Sequence, residues 1–289
     1  MENTTNLQII EDVRQSAEYG EYTKRIGWKT IQVTSPKSQN QIFLRKLGPV
    51  SVVKIQRVYL PLPWEEIEEV LKENRVMMCK LEPLRFGPEF TIHDLRNRGW
   101  KLDKWPLIGA KTLRISLSPS LSSIMSGFKK DARYCIRQVT NLNPQITKNN
   151  FDKFFEIWRE ANRIKRLWTP KKKDYQSLVD SFGKKCFCVM VNDLAGCLVL
   201  MHERMAYYFY SGALPEGKVR NLPYLVAWEA MKEAKIRGCL VWDWEGIYDT
   251  RWPNKGWRGF SHFKKSFGGE EVQFPGSFNR WMWPYRKGF

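Results

Sequence analysis

The sequence predicts a mixed α/β fold, and three observations favour it. Apolar residues recur at helical spacing, as in the stripe Phe151, Phe154 and Trp158. Short apolar segments bounded by tight turns predict strands, as in Cys186–Val191 and Ala195–His202. Hydrophobic residues make up 43% and aromatic residues 14% of the 289 positions. This apolar content excludes a disordered chain, and the length suits one large domain or two medium ones.

The first half is predicted to combine short strands with two helices. The second helix is expected to begin next to Pro63, because proline is favoured in the first helical turn. The predicted helices are Leu7–Thr23 and Trp64–Lys72, and the predicted strands are Thr30–Val33, Gln41–Leu47, Val52–Tyr59 and Val76–Leu81.

The second half is predicted to place two helices before three antiparallel strands, followed by a loop, a helix and a strand. The short connections Asn192-Asp193 and Glu203-Arg204 predict hairpins, and Gly238 stands where a helix C-terminus is expected. The predicted helices are one that is capped by Ser118–Ser120 and ends at Val139, Asn150–Arg166 and Pro223–Arg237; the loop is Gly212–Asn221; the strands are Thr112–Leu117, Cys186–Val191, Ala195–His202, Met205–Ser211 and Cys239–Trp244.

This order of elements suits the N-acetyltransferase (GNAT) fold, and the first half looks like a weaker echo of the same plan. We therefore expect two GNAT-like lobes. The first lobe would comprise residues 1–111, completed by the C-terminal tail 272–289, and the second would comprise residues 112–271.

The charge favours an anionic partner. Lys and Arg number 48 against 30 Asp and Glu, which gives a formal net charge of +18. Such an excess attracts nucleic acid, an anionic membrane surface or a phosphate-bearing substrate. The alternative is that the basic side chains only solubilise the surface.

Several classes of protein are not expected. No apolar stretch approaches the ~18–20 residues of a membrane-spanning helix, and the polar start Met1–Thr5 does not read as a secretory signal. The six cysteines form no Cys-x-x-Cys pair and the three histidines form no His-x-x-x-His pair, so no metal site is expected. The cysteines are expected to be reduced and buried, as in a cytoplasmic protein.

Four segments, in the right order, resemble the Fem-type (FemABX) peptidoglycan-branching enzymes. They are Gln15–Trp28, Phe128–Arg137, Trp228–Ile247 and Gly259–Gly269, the last of which contains the family's Phe-Lys-x-x-Phe-Gly signature at residues 263–268. The resemblance implies transfer of an amino acid from aminoacyl-tRNA to the peptide-stem amine of a UDP-linked or lipid-linked muropeptide. It also implies no cofactor. A monomer is favoured, with the oligomeric state left open, and peripheral contact with the anionic inner face of the cell membrane is a further candidate interaction. The helical arm of some members is not expected, because Asn150–Glu203 leaves no room for it.

The resemblance places Lys264 at the transfer centre. Attack of an amine on an aminoacyl ester passes through a tetrahedral oxyanion, which a positioned ammonium group stabilises. A surface lysine between two buried phenylalanines is the structural alternative. Asp243 is more typical of a structural hydrogen-bonding group at the end of a strand.

The expected substrate-binding residues are Lys24, Arg163, Arg166, Arg220 and Glu82. The first three are candidates for binding acceptor phosphates, which suit the planar fork of arginine. Arg220 is a candidate for an RNA phosphate, or else part of a solvated loop, and Glu82 is an acidic candidate together with Asp94 and Glu245. Lys171–Lys173 is expected to be solvated or to face tRNA.

Two other functions stay open at this point. One is an acyl-CoA-dependent GNAT enzyme acting on a sugar or polysaccharide. However, the loop Glu216–Pro223 lacks the glycine pair that lets backbone amides approach a pyrophosphate, which disfavours CoA. The other is a non-catalytic basic module that binds RNA or a membrane.

Overall fold

The structure is a computed structural model that describes residues 11–35 and 38–282. The helices are α1 (Ala17–Arg25), α2 (Trp64–Glu73), α3 (Ile92–Asn97), α4 (Leu121–Ser126), α5 (Lys130–Thr140), α6 (Phe151–Ile164), α7 (Lys172–Phe182), α8 (Pro215–Val219), α9 (Leu222–Ile236) and α10 (Trp257–Lys265). Short 3-10 turns lie at Val13–Gln15 and Gly183–Lys185.

The described residues also form strands, most of which lie between these helices in the chain. They are β1 (Lys29–Ser35), β2 (Ser38–Leu47), β3 (Val50–Gln56), β4 (Tyr59–Leu60), β5 (Val76–Glu82), β6 (Arg85–Phe86), β7 (Lys101–Leu102), β8 (Lys111–Ser116), β9 (Ile146–Lys148), β10 (Cys186–Val191), β11 (Ala195–His202), β12 (Met205–Ala213), β13 (Val241–Asp243), β14 (Glu270–Gln273) and β15 (Phe278–Trp281).

The described chain divides into two compact lobes. The first lobe holds residues 11–110, Asp249–Pro253 and residues 273–282, and the second holds Lys111–Tyr248 and Asn254–Val272. The sequence predicted lobe boundaries at residues 111 and 272. It did not predict that Asp249–Pro253 belongs to the first lobe.

The first lobe is built on a six-stranded sheet in the order β1-β2-β3-β5-β15-β7. Strands β1, β2 and β3 form an antiparallel meander, and β5 then pairs parallel to β3. The C-terminal strand β15 lies between β5 and β7 and is antiparallel to both. The core of this lobe lies on one face of the sheet, where Ile42, Val53 and Leu81 pack against Ile67 and Leu71 of α2.

The second lobe is built on a seven-stranded sheet in the order β14-β8-β13-β12-β11-β10-β9. Two tight turns join β10 to β11 and β11 to β12 as antiparallel hairpins, so the hairpin prediction is confirmed. After α8 and α9, β13 pairs parallel to β12. Helix α9 packs its residues Leu225, Ala230 and Met231 into the core of this lobe, together with Trp242 and Trp244.

Both lobes contain the same central unit, a parallel strand pair connected through helical structure. In the first lobe β3 and β5 flank α2, and in the second β12 and β13 flank α8 and α9. The pair in the second lobe ends at Tyr207 and Asp243, beyond which the two strands are no longer paired. Two GNAT-like lobes in a mixed α/β fold are therefore confirmed.

Some predicted elements are wrong in extent. In the described part of Leu7–Thr23, the α-helix begins only at Ala17, because Ser16 is extended and its side chain accepts a hydrogen bond from the Tyr19 amide. The single helix predicted from Ser118 to Val139 is two helices, broken at Gly127. The break has a tertiary cause, since Lys129 N donates to Ser266 O at 2.8 Å.

Four further helices of the described residues, α3, α7, α8 and α10, lie where none was predicted. The lysine run Lys171–Lys173 opens α7, and the predicted loop Gly212–Asn221 contains α8. In contrast, Ser120, Asn150 and Gly238 stand at the helix ends where the sequence predicts them.

All six cysteines are free, and five of them are buried as predicted. Cys135 is the exception, because it lies half-buried on α5. Within residues 11–35 and 38–282, none of the helices combines the length and the apolar character that crossing a bilayer requires.

Candidate active site

Lys264 lies in the last turn of α10, beyond the end of β13. Its ammonium group donates to Trp244 O at 2.7 Å and to Gly246 O at 2.8 Å, and it lies 4.7 Å from the centre of the Phe260 ring. An ammonium group has three N–H donors. No other described residue accepts a hydrogen bond from Lys264, so one donor is left for a ligand. The site therefore holds a cation whose position is fixed and whose hydrogen-bonding capacity is incomplete.

The two carbonyls belong to a turn with an unusual backbone. Glu245 has φ 60° and Gly246 has φ 133°, so two consecutive residues lie at positive φ. A non-glycine residue seldom adopts such a value, and φ near 133° is favourable only for glycine. This conformation carries the carbonyls on either side of Glu245 to the same ammonium group.

Asp243 holds this turn in place. Its Oδ1 accepts from Thr112 Oγ1 at 2.7 Å and from the Glu245 amide at 2.8 Å, and its Oδ2 accepts from Arg114 Nε at 2.9 Å. The carboxylate is buried, so the charge-assisted hydrogen bonds compensate its loss of hydration. Asp243 is therefore a structural hydrogen-bonding group, as the sequence indicates, and it positions the backbone that holds Lys264.

The surroundings of Lys264 change its acidity. Burial lowers the pKa of Lys264 to about 8, while the carboxylates of Glu245 and Asp243 act in the opposite direction. The side chain is thus a cation at neutral pH that loses its proton more readily than a surface lysine.

An aromatic cluster supports the helix that carries Lys264. Phe263 and Phe267, the two phenylalanines of the signature, pack against Trp244 with ring centres 5.8 and 5.0 Å apart. Tyr224 of α9 completes the cluster at 4.9 Å from Phe263. Phe263 and Phe267 are therefore packing residues, and Lys264 lies at the edge of this aromatic cluster.

The predicted substrate-binding residues of the first lobe occupy contrasting positions. Glu82 lies at the end of β5 and is buried. Its Oε1 accepts hydrogen bonds from the Leu107 amide at 2.6 Å and from the Ile108 amide at 3.2 Å. Its Oε2 accepts a hydrogen bond from Gln56 Nε2 at 2.9 Å. Its carboxylate thus fixes the 107–108 loop. Lys24 lies exposed in the last turn of α1.

The predicted arginines lie on the second lobe, away from the contacts of Lys264. Arg163 is exposed at the end of α6 and pairs with Glu160 at 2.7 Å, and Arg166 follows it in an exposed turn. Arg220 pairs with Glu216 at 2.7 Å between α8 and α9. None of the described contacts of Lys264 involves these three arginines.

Sequence reasoning missed Lys54 as a notable group. It lies on β3 opposite Phe43, and its ammonium group is 4.5 Å from the Trp28 ring and 5.3 Å from the Phe43 ring. Burial, and next the neighbouring Arg14, lowers the pKa of Lys54 to about 8. Lys54 stands between the core residues Val53 and Ile55, so strand alternation places its side chain on the opposite face of the sheet. The sequence does not show that aromatic residues pack over that face.

Comparisons with known proteins identify a family model that matches part of the chain. The FemAB family model matches residues 190–286, the part of the chain that contains Asp243, the 244–246 turn and Lys264. No curated protein matches the sequence.

Solved structures share the fold at low sequence identity. A crystal structure of FemX is 13% identical, covering 94% of this chain and 92% of that chain with a TM-score of 0.73. The C-terminal domain of a putative lysylphosphatidylglycerol synthetase from Agrobacterium fabrum is 9% identical, covering 92% and 87% with a TM-score of 0.59. A tandem GNAT protein from the clavulanic acid biosynthesis pathway is 10% identical, covering 88% and 84% with a TM-score of 0.53.

The protein therefore has a fold of two GNAT-like lobes, which it shares with the FemX crystal structure and with the tandem GNAT protein. The resemblance to the Fem-type family is confirmed by the FemAB match across residues 190–286.

Proposed function

We propose that the protein transfers an amino acid from aminoacyl-tRNA to the peptide-stem amine of a peptidoglycan precursor. The observation that carries the proposal is the position of Lys264, held by two backbone carbonyls with one N–H donor unused by the described residues. The FemAB match to the segment that builds this site supports a peptidoglycan precursor as acceptor.

The geometry fits the chemistry of aminoacyl transfer. The acceptor amine attacks the ester carbonyl carbon, and the carbonyl oxygen becomes an oxyanion in the tetrahedral intermediate. Lys264 donates its remaining N–H to this oxyanion, which lowers the barrier because the donor is already positioned. Collapse of the intermediate forms the amide and breaks the ester C–O bond. The proton lost by the amine is transferred to the departing ribose oxygen through solvent.

The segment before α9 supports tRNA rather than CoA as the donor. A CoA pyrophosphate needs free backbone amides at this helix N-terminus. Here the amides of Lys218, Arg220, Asn221 and Tyr224 already donate to backbone carbonyls. Gly217 is in close packing, since a Cβ added there would lie 2.7 Å from Leu194 O. The glycine therefore serves the packing of α8 and does not open a phosphate cradle.

The charge of the chain supports the same donor. A net charge of +18 attracts both the tRNA backbone and a phosphate-bearing acceptor, either UDP-linked or lipid-linked. Lys24, Arg163, Arg166 and Arg220 are exposed, or paired only at the surface, so an anionic ligand can replace their present contacts.

The direct test supplies donors and acceptors in parallel. The protein is incubated with a pool of charged tRNAs, or with acyl-CoA compounds, together with UDP-linked and lipid-linked muropeptides. Mass spectrometry then follows formation of a new amide. We expect product with charged tRNA and a muropeptide. Product from acyl-CoA alone, or no amide with any charged tRNA and any acceptor, would contradict the proposal.

A further inference from the structure

Four apolar side chains of the second lobe are exposed at, or just after, the ends of α6 and α8. The exposed fractions are 47% for Ile164, 56% for Leu167, 80% for Trp168 and 84% for Val219. Single exposed apolar residues are ordinary on protein surfaces, but a cluster of large ones indicates an interaction site.

The two segments that carry these residues are neighbours in the fold. Helix α6 packs against β12, where a Cβ added at Gly212 would lie 2.9 Å from Trp158 Cα and 3.3 Å from Ala161 Cβ. The chain enters α8 three residues after Gly212. The pKa of Lys165 is lowered mainly by burial and, to a smaller extent, by the nearby ammonium group of Lys218. The end of α6 and the end of α8 therefore lie near each other.

Hydrogen bonds order the loop after α6. The Leu167 amide donates to Asn162 O at 2.9 Å, and Asn162 Nδ2 donates to Thr169 Oγ1 at 3.1 Å. Leu167 and Trp168 are therefore held outward on a loop that is tied to its own helix, so displaying them needs no further ordering of the backbone.

Basic side chains are interspersed with the apolar ones. Lys165, Arg166 and Lys218 enter no ion pair with another described residue, and all three are exposed. Lys171 and Lys173 follow in the chain and are also exposed. We call Ile164–Trp168, Lys218 and Val219 the docking surface.

We propose that the docking surface binds an anionic phospholipid bilayer. Trp168 is suited to the headgroup region, where an indole ring has apolar and polar surroundings at once. Ile164, Leu167 and Val219 gain by entering the acyl boundary, and the lysines and arginine gain from anionic headgroups. RNA fits less well, because its bases stack on aromatic and guanidinium planes and three of the four exposed apolar residues are aliphatic.

The proposal is tested by vesicle sedimentation with the full-length protein and no donor or acceptor. Vesicles of phosphatidylcholine alone are compared with vesicles of equal parts phosphatidylcholine and phosphatidylglycerol. We expect binding to the mixed vesicles that weakens as salt is raised. Trp168→Ala should lower the partition coefficient about tenfold, and Lys165→Gln with Lys218→Gln about fivefold for each charge removed.

Matched controls come from the start of α5, where Tyr134 is 58% exposed and Lys129 and Lys130 are also exposed. Tyr134→Ala, and Lys129→Gln with Lys130→Gln, should leave vesicle binding within about twofold of the wild type. Circular dichroism and thermal unfolding check that every variant is folded.

Three results would contradict binding of the docking surface to a bilayer. Equal losses in the Trp168 and Tyr134 variants, or no binding to mixed vesicles, would overturn the proposal. So would docking-surface variants that bind vesicles normally but lose affinity for tRNA, since the surface would then be an RNA contact. Because the assay contains no substrate, failure here leaves aminoacyl transfer standing and the two proposals fail separately.

Discussion

At the scale of single residues, Lys264 and its neighbour Lys265 show how position determines the role of a lysine. Lys265 pairs with Glu271 at 2.6 Å on the surface, where such a pair contributes little to stability. Lys264 contacts the carbonyls of Trp244 and Gly246 instead, and burial lowers its pKa to about 8. One of the two adjacent lysines is therefore an ordinary surface cation, and the other is a positioned donor.

The lowered pKa of Lys264 predicts a pH dependence of transfer. The ammonium form exists below its pKa, so the contribution of Lys264 is complete below about pH 8 and is lost as the pH rises through that value. Deprotonation of the acceptor amine acts in the opposite sense, so kcat should rise and then fall as the pH increases. In Lys264→Arg, whose guanidinium stays protonated, the descending limb should move to higher pH. A descending limb that stays at the same pH in this variant would assign it to another group.

At the scale of elements, the site depends on contacts between segments far apart in the sequence. Strand β8 supplies Thr112 and Arg114, β13 supplies Asp243, and α10 supplies Lys264. Asp243 connects them, because the same carboxylate binds β8 and the amide of Glu245 in the turn. The turn in turn sets the two carbonyls, so the geometry of Lys264 rests on a buried ion pair.

Asp243→Ala should therefore destabilise the protein strongly. It leaves Arg114 buried without its carboxylate, which typically costs about 3–5 kcal/mol. Glu271→Ala is the matched control, because it removes a carboxylate that pairs with Lys111 and Lys265 near the surface, and should cost less than about 1 kcal/mol. Urea unfolding of both variants measures the difference. Equal losses would show that the Asp243 network does not support the fold as described.

The sequence predicted those elements whose pattern is local and strong. Helix α6 has its apolar stripe and its Asn150 cap, and the β10–β11 hairpin is marked by Asn192 and Asp193, both at positive φ. Helix α10 was missed, because its aromatic and basic residues are mixed and Pro253 and Asn254 precede it. The break between α4 and α5 was missed as well, since it depends on the contact of Lys129 with Ser266, more than a hundred residues away.

At the scale of the whole molecule, family resemblance and physical pattern contributed different parts of the prediction. The order of strands and helices was enough to predict GNAT-like lobes, because chain connectivity restricts how such a sheet is assembled. Lys264 was found only through the Phe-Lys-x-x-Phe-Gly motif. Its partners Trp244 and Gly246 lie 20 and 18 residues away in the chain, so no local pattern reveals them.

The basic side chains do not all lie on the surface. Some basic side chains are used inside the lobes, as with Arg114 on Asp243 and Lys80 on Asp103. Others, such as Lys165 and Lys218, lie exposed beside apolar side chains. The charge of +18 therefore includes structural cations, the candidate catalytic lysine and a surface available to anionic partners.

The central claim is that Lys264 stabilises the transition state of amide formation, and single-turnover transfer tests it most directly. Lys264→Met and Lys265→Met are compared with the wild type at saturating charged tRNA and muropeptide, with thermal unfolding as a check of folding. We predict that Lys264→Met lowers the rate of amide formation about 100-fold or more and that Lys265→Met stays within about twofold. A folded Lys264→Met variant that forms amide at the wild-type rate would contradict the account.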